Sequence, residues 1–171
     1  RQLGEMGRLY AARIASEPAF AAANVVFGSA YKGIPIAVAT VIAAAQASRD
    51  LRAVSDRKEV KQHGDVSGFL GVLRAGDRAV IVDDVITTGG TKVEAIDKLR
   101  AAGCEPLGIV VAFDRVEPLE PGGPTAREAL AREIGLPVLA LLDADDLLAP
   151  GSSVELEAQR RVRQHLAEIR R

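Results

Sequence analysis

Residues 79–92 read Ala79-Val80-Ile81-Val82-Asp83-Asp84-Val85-Ile86-Thr87-Thr88-Gly89-Gly90-Thr91-Lys92. An apolar run, Ala79 to Val82, stops at two acids, Asp83 and Asp84. A small polar turn, Thr87 to Thr91, follows, and beyond it Val93, Ile96 and Leu99 recur at helical spacing. The stretch predicts a buried strand, a tight loop and a helix N-terminus. Such a loop turns backbone N–H groups and hydroxyls toward whatever sits over it, and the helix end adds partial positive charge. A phosphate suits that place. The two acids cannot hold a phosphate, but they accept hydrogen bonds from hydroxyls or hold a hydrated metal. Phosphate donors beside hydroxyl acceptors describe a site for a sugar phosphate.

Outward from this stretch, strands and helices alternate. Leu3, Met6, Tyr10 and Ile14 predict a helix over 2–16. Val25 to Phe27 predicts a short buried strand, Gly28 to Gly33 a loop, and Ile34 to Ala47 a helix with Pro35 in its first turn. Leu51 to Val54 is a weak strand, Asp56 to Gly68 is polar and aperiodic, and Phe69 to Leu73 is a short strand. Gly103 caps the helix that follows Thr91. Leu107 to Phe113 is the most apolar strand, and residues 117–124 form a loop rich in proline and glycine. Thr125 and Glu128 make a capping box for a helix ending at Ile134. Val138 to Leu142 is a strand, and Ser153 caps a closing helix to Ile169 with Val162, Leu166 and Ile169 inward. Near-continuous apolar strands separated by helices predict a doubly wound, mostly parallel α/β sheet in a single domain over residues 1–171. Ligands of such sheets sit beyond the carboxyl ends of the strands, which singles out the loops after Phe27, Val82 and Phe113.

Composition narrows the function classes. Lys and Arg number 22 against 23 Asp and Glu, and a net charge of −1 argues against a dedicated nucleic-acid binder. No apolar run approaches membrane-spanning length, and neither a membrane partner nor a signal peptide is expected. The single cysteine, Cys104, allows no internal disulfide and no all-cysteine metal site, and suits a reducing cytoplasm. Gly-x-x-x-x-Gly-Lys-Ser/Thr is missing, since Gly89-Gly90-Thr91-Lys92 does not fit its spacing, and no Gly-x-Gly-x-x-Gly follows a strand. ATPase and nicotinamide dehydrogenase chemistry are disfavoured on those grounds.

Four segments carry a family resemblance. Val80 to Thr91 resembles the phosphoribosyl-pyrophosphate signature of the type I phosphoribosyltransferases. Val26-Phe27-Gly28-Ser29-Ala30-Tyr31-Lys32-Gly33-Ile34-Pro35 resembles the pyrophosphate loop of the orotate phosphoribosyltransferases. Arg57-Lys58-Glu59-Val60-Lys61-Gln62-His63-Gly64 resembles their mobile catalytic loop, about 56–68 here. Phe113-Asp114-Arg115 resembles the segment where that family carries an arginine near orotate.

The resemblance implies the type I fold and transfer of a phosphoribosyl group from phosphoribosyl pyrophosphate (PRPP) to orotate. The products would be orotidine 5′-monophosphate and pyrophosphate, a step of de novo pyrimidine synthesis. It implies PRPP binding by Tyr31, Lys32, Asp83, Asp84, Thr87, Thr88, Gly89, Gly90 and Thr91, with the acids on the ribose hydroxyls. Orotate is expected against Arg115, Phe27 and Thr87. Arg57, Lys58, Lys61 and His63 are the catalytic candidates, four potential cations for the pyrophosphate leaving group, with His63 as a proton donor. Mg2+ is the expected cofactor, held by PRPP and water near Asp83 and Asp84 rather than by direct protein ligands. A cytoplasmic homodimer is implied, with the 57–63 loop acting in the neighbouring subunit's site. The family also carries a few dozen residues before the first helix, part of a hood over orotate, and nothing in this sequence matches them. Its usual loop proline is Ser29 here.

Taken singly, these residues have plainer readings. Arg57 to His63 alone is a solvated charged loop, Lys32 and Arg115 are surface cations, and paired acids at a strand end cap a turn. His165, among the arginines of the last helix, reads as a solvated face. The function comes from the four segments together. A transferase for another base would share the PRPP signature, and a nucleic-acid-binding regulator on the same fold would need a basic face.

Overall fold

The computed structural model describes residues 1–57, 68–87 and 89–169. Five helices and six strands are described: α1 (Gln2–Ser16), β1 (Val25–Gly28), α2 (Gly33–Gln46), β2 (Arg52–Asp56), β3 (Phe69–Leu70), β4 (Arg78–Val85), α3 (Gly90–Ala101), β5 (Glu105–Asp114), α4 (Ala126–Ile134), β6 (Val138–Asp143) and α5 (Leu156–Ile169). The strands form one sheet in the order β3-β2-β1-β4-β5-β6, parallel except for β3, which runs antiparallel to β2. The chain winds outward from β1 through β2 to β3, returns to place β4 beside β1, and then winds the other way. The winding direction therefore reverses between β1 and β4, the position where open α/β sheets bind ligands.

The core explains the apolar strands. Along β4, Ala79 and Ile81 face one cluster with Ile96 and Leu99 of α3 and Leu130 of α4. Val80 and Val82 face the other, with Tyr10 and Ile14 of α1 and Ile36 and Ala37 of α2. A strand buried on both faces has no polar alternation, and each buried Val, Ile or Leu side chain contributes about 1.5–3 kcal/mol of burial. Thr125 and Glu128 form the expected capping box, with the Glu128 N–H donating to Thr125 Oγ1 at 3.3 Å and the Thr125 N–H to Glu128 Oε2 at 3.0 Å.

Four local expectations are corrected. The second strand is displaced to Arg52–Asp56, so Asp56 belongs to the sheet rather than to the following loop. The Phe69–Leu73 strand shrinks to Phe69–Leu70 on the sheet edge, where pairing ends with Ser55 opposite Leu70. The last helix starts at Leu156, because Ser152 Oγ accepts the Val154 N–H at 3.2 Å and holds a turn where Ser153 was expected to cap. In α1, Tyr10 and Ile14 are buried but Leu3 is exposed.

Candidate functional site

The β1–α2 loop is pinched at its base. A Cβ on Gly28 would lie 2.1 Å from the Gly33 carbonyl oxygen, and one on Gly33 would lie 2.7 Å from the Gly28 carbonyl carbon. Backbone thus packs on backbone where β1 ends, and Ser29 to Lys32 project as a tight loop. The Ala30–Tyr31 peptide is cis. The Ala30 N–H donates to Asp56 Oδ1 at 2.8 Å, and Lys98 of α3 donates to Asp56 Oδ2 at 2.6 Å. Burial pushes Asp56 up, but these two bonds outweigh it and hold its carboxyl below the usual carboxylate range. Ser29 Oγ is buried and has no hydrogen-bond partner among the described residues.

The adjoining β4–α3 segment supplies the acids and the helix end. Asp83 is buried, and its carbonyl accepts the Tyr10 phenol at 2.7 Å. Its Oδ1 accepts the Asp84 N–H at 2.9 Å, and its Oδ2 lies 2.6 Å from Lys92 Nζ. Asp84 is half-buried. Its Oδ1 accepts the Val85 N–H at 2.9 Å, and Lys32 Nζ donates to its Oδ2 at 2.8 Å. Burial raises Asp84, yet the Lys32 and Val85 bonds prevail and keep it below the ordinary range, while the same bond raises Lys32. Gly89 precedes α3 with φ +83°, a left-handed conformation that favours glycine, and Leu130 Cδ1 would sit 3.1 Å from any Cβ there. Its carbonyl accepts the N–H groups of Lys92 at 2.8 Å and Val93 at 3.1 Å, while Gly90 and Thr91 lie exposed in the first turn.

The fold therefore brings Lys32, Asp83, Asp84 and the Gly89–Thr91 turn together at the ends of adjacent strands, with Thr87 and Tyr31 exposed beside them. Arg115 lies past the end of β5, 2.8 Å from Glu117 Oε2, and His165 Nε2 approaches Glu117 Oε1 at 3.2 Å. These three residues line an apolar cavity of about 320 Å3 with Phe113, Leu147 and Val162. His165 is thus a contact to Glu117, not only a solvated face. The Arg57 N–H donates to the Gly68 carbonyl at 2.9 Å and its Nε to the Phe69 carbonyl at 3.2 Å. Lys58, Lys61, His63 and Thr88 lie outside the described residues. Phe27 is a correction. Its ring is wholly buried, edge-on to Phe69 at 6.2 Å between centroids, and belongs to the core rather than to a base pocket. Sequence reading missed Asp56, Lys92 and Lys98. Lys92 carried a signal, because a cation in the first turn of a helix opposes the macrodipole and needs a specific partner. Among the described residues no group of three or more His, Cys, Asp or Glu is placed to hold a metal, and no helix is long and apolar enough to cross a membrane.

A strand, a paired acid, a glycine turn and a helix end meet at the winding reversal. Residues 5–131 match the phosphoribosyl transferase domain, and the chain belongs to that family. It is similar to the orotate phosphoribosyltransferase of Xanthomonas oryzae pv. oryzae, 47% identical over 127 residues that cover 74% of this chain and 58% of the relative. The chain thus spans little more than half the length of the curated relatives it matches. The orotate phosphoribosyltransferase of Francisella tularensis shares the fold, with a TM-score of 0.81 at 24% identity over 98% of this chain and 79% of that one. The Mycobacterium tuberculosis orotate phosphoribosyltransferase in complex with PRPP matches with a TM-score of 0.66 at 26% identity, covering 87% of this chain and 77% of that one.

Proposed function

We propose that the protein is an orotate phosphoribosyltransferase, which joins orotate to the phosphoribosyl group of PRPP and releases pyrophosphate. The observation that carries this reading is the Lys32–Asp84 pair beside the glycine-led start of α3, at the junction of β1 and β4. The first turn of α3, with Thr87 to Thr91, receives the 5′-phosphate. Asp84 at the end of β4 accepts the ribose hydroxyls, with Asp83 behind it. Lys32, exposed on its loop beside Tyr31, exchanges Asp84 for the pyrophosphate. Arg115 exchanges Glu117 for the orotate carboxylate, a planar match for a guanidinium. The similarity to orotate phosphoribosyltransferases supports the choice of base.

Transfer develops positive charge on the sugar and negative charge on the leaving pyrophosphate, so the protein acts by positioning and by electrostatics. Arg57, Lys58, Lys61 and His63 supply cations to the leaving group, and His63 is the group able to give it a proton near neutral pH. Mg2+ would be held by PRPP and water near Asp84, because it favours phosphate oxygens and water over an all-protein cage, and would supply charge neutralisation to the leaving group. Asp84 is the carboxylate best placed to hold a metal-bound water. The enzyme works in the cytoplasm as a homodimer whose 57–63 segments serve the neighbouring site. Nucleic acid is no partner.

A spectrophotometric assay with PRPP and orotate, hypoxanthine or uracil tests the reading. Consumption of orotate alone is expected, and turnover of a purine without orotate would overturn it. Lys61→Ala should lower kcat by orders of magnitude with little change in PRPP affinity; unchanged turnover would remove that residue from the mechanism.

A further inference from the structure

The two acids of β4 look alike in sequence, but the fold treats them differently. Lys92 stands in the first turn of α3, where the helix dipole disfavours a cation, and its side chain is only 7% exposed. A buried ammonium needs a counter-charge, and the one it meets is Asp83, 2.6 Å away with its own side chain 11% exposed. Both Asp83 oxygens are thereby engaged from inside the fold, one by Lys92 and one by the Asp84 N–H, and its carbonyl is held by Tyr10. Asp84 is held by the Val85 N–H and by Lys32, whose side chain is 77% exposed. An exposed pair opens at little cost, whereas opening the buried one strands a charge away from water.

We propose, on the reading of this site as one for PRPP, that Lys92 is a positioning residue: as the internal counter-ion of Asp83 it fixes the end of β4 and neutralises one of the two acids, so that Asp84 is the carboxylate offered to the ribose. PRPP is a polyanion, and two bare carboxylates would repel it. One buried lysine and one exchangeable lysine leave a strand end that accepts hydroxyls without opposing the phosphates around them.

The test is a calorimetric titration of the whole chain with PRPP, paired with thermal unfolding of each variant. Lys92→Met should weaken binding roughly tenfold, the loss of one charge-assisted contact, and Lys92→Arg should recover most of it. Lys92→Met combined with Asp83→Asn should lose less affinity than Lys92→Met alone, because no unpaired charge remains. Asp84→Asn should weaken binding without relief from Lys92→Met. Losses at Lys92 and Asp83 that simply add would overturn the proposal, as would Lys92→Met binding like the wild type. If a single variant does not fold, the folded double variant decides: near wild-type binding supports the proposal, and lost binding overturns it. A wild-type chain that ignores PRPP, alongside variants that all do the same, overturns the functional reading and this inference together.

Discussion

The two ends of the sheet both carry buried acids, but they fasten them differently. At the amino end, Asp77 pairs with Arg52, and its Oδ1 also accepts from Asn24 Nδ2 at 3.2 Å. Its Oδ2 takes the Arg74 N–H at 2.7 Å, and its carbonyl takes the Glu105 N–H at 2.8 Å. Burial raises this carboxyl, yet Arg52 and the Arg74 N–H bring it below the usual range. At the carboxyl end, Asp56, Asp83 and Asp84 each meet one lysine. A guanidinium fork with backbone donors around it fixes geometry, whereas an ammonium on a long stem is a point charge that changes partner readily. The amino end is fastened by a fork, whereas at the carboxyl end the exposed Lys32–Asp84 pair opens at little cost.

The sharpest way to break this comparison is Asp77→Ala. It should cost about 3 kcal/mol in urea unfolding, the low end for a broken buried pair, since the Arg52 side chain is 30% exposed. PRPP affinity of the folded protein should not change; a parallel loss of affinity would mean that the two ends are coupled. Asp84→Asn should do the reverse, weakening PRPP roughly tenfold or more through a lost charge-assisted bond while the melting temperature stays put.

Acid sharpens the contrast further. Asp56 and Asp77 have folded values below the ordinary one, so the unfolded chain binds more protons and stability rises with pH through this range. Their contribution is complete above the unfolded carboxylate value of about 3.9 and is lost as pH falls through the folded values. Lys98→Met should therefore move the midpoint of acid unfolding upward, modestly, because the Lys98 side chain is 45% exposed; a midpoint that stays in place would assign the acid sensitivity to Asp77. The smallest effect should have the opposite sign. Ser29→Ala removes a buried hydroxyl without a partner among the described residues and should add about 1 kcal/mol in urea unfolding.

The 79–92 stretch was legible because its signals are local: an apolar run, two acids, glycines and a helical period, all within reach of one another. The winding of the sheet was legible for the same reason, element by element. The carboxylate partners were not. Lys98 reaches Asp56 across 42 positions and Lys32 reaches Asp84 across 52, and nothing in either segment announces the other. Phe27 was misread because its neighbours Gly28 to Lys32 resemble a ligand loop, yet both faces of β1 are buried and its ring packs into a core against Phe69. The two-residue β3 depends on pairing with β2, a non-local event that edge residues do not encode strongly.

The contact between Tyr10 and the Asp83 carbonyl has an optical consequence. The chain has no tryptophan and two tyrosines. One is Tyr10, sealed beneath the end of β4, its phenol held from ionising first by burial and then by the charges of Asp83 and Asp84. The other is Tyr31, 64% exposed beside Lys32. The protein's tyrosine emission thus originates on either side of the same pair of acids, so a sugar phosphate bound as proposed should register as a change in native fluorescence, with no dye attached.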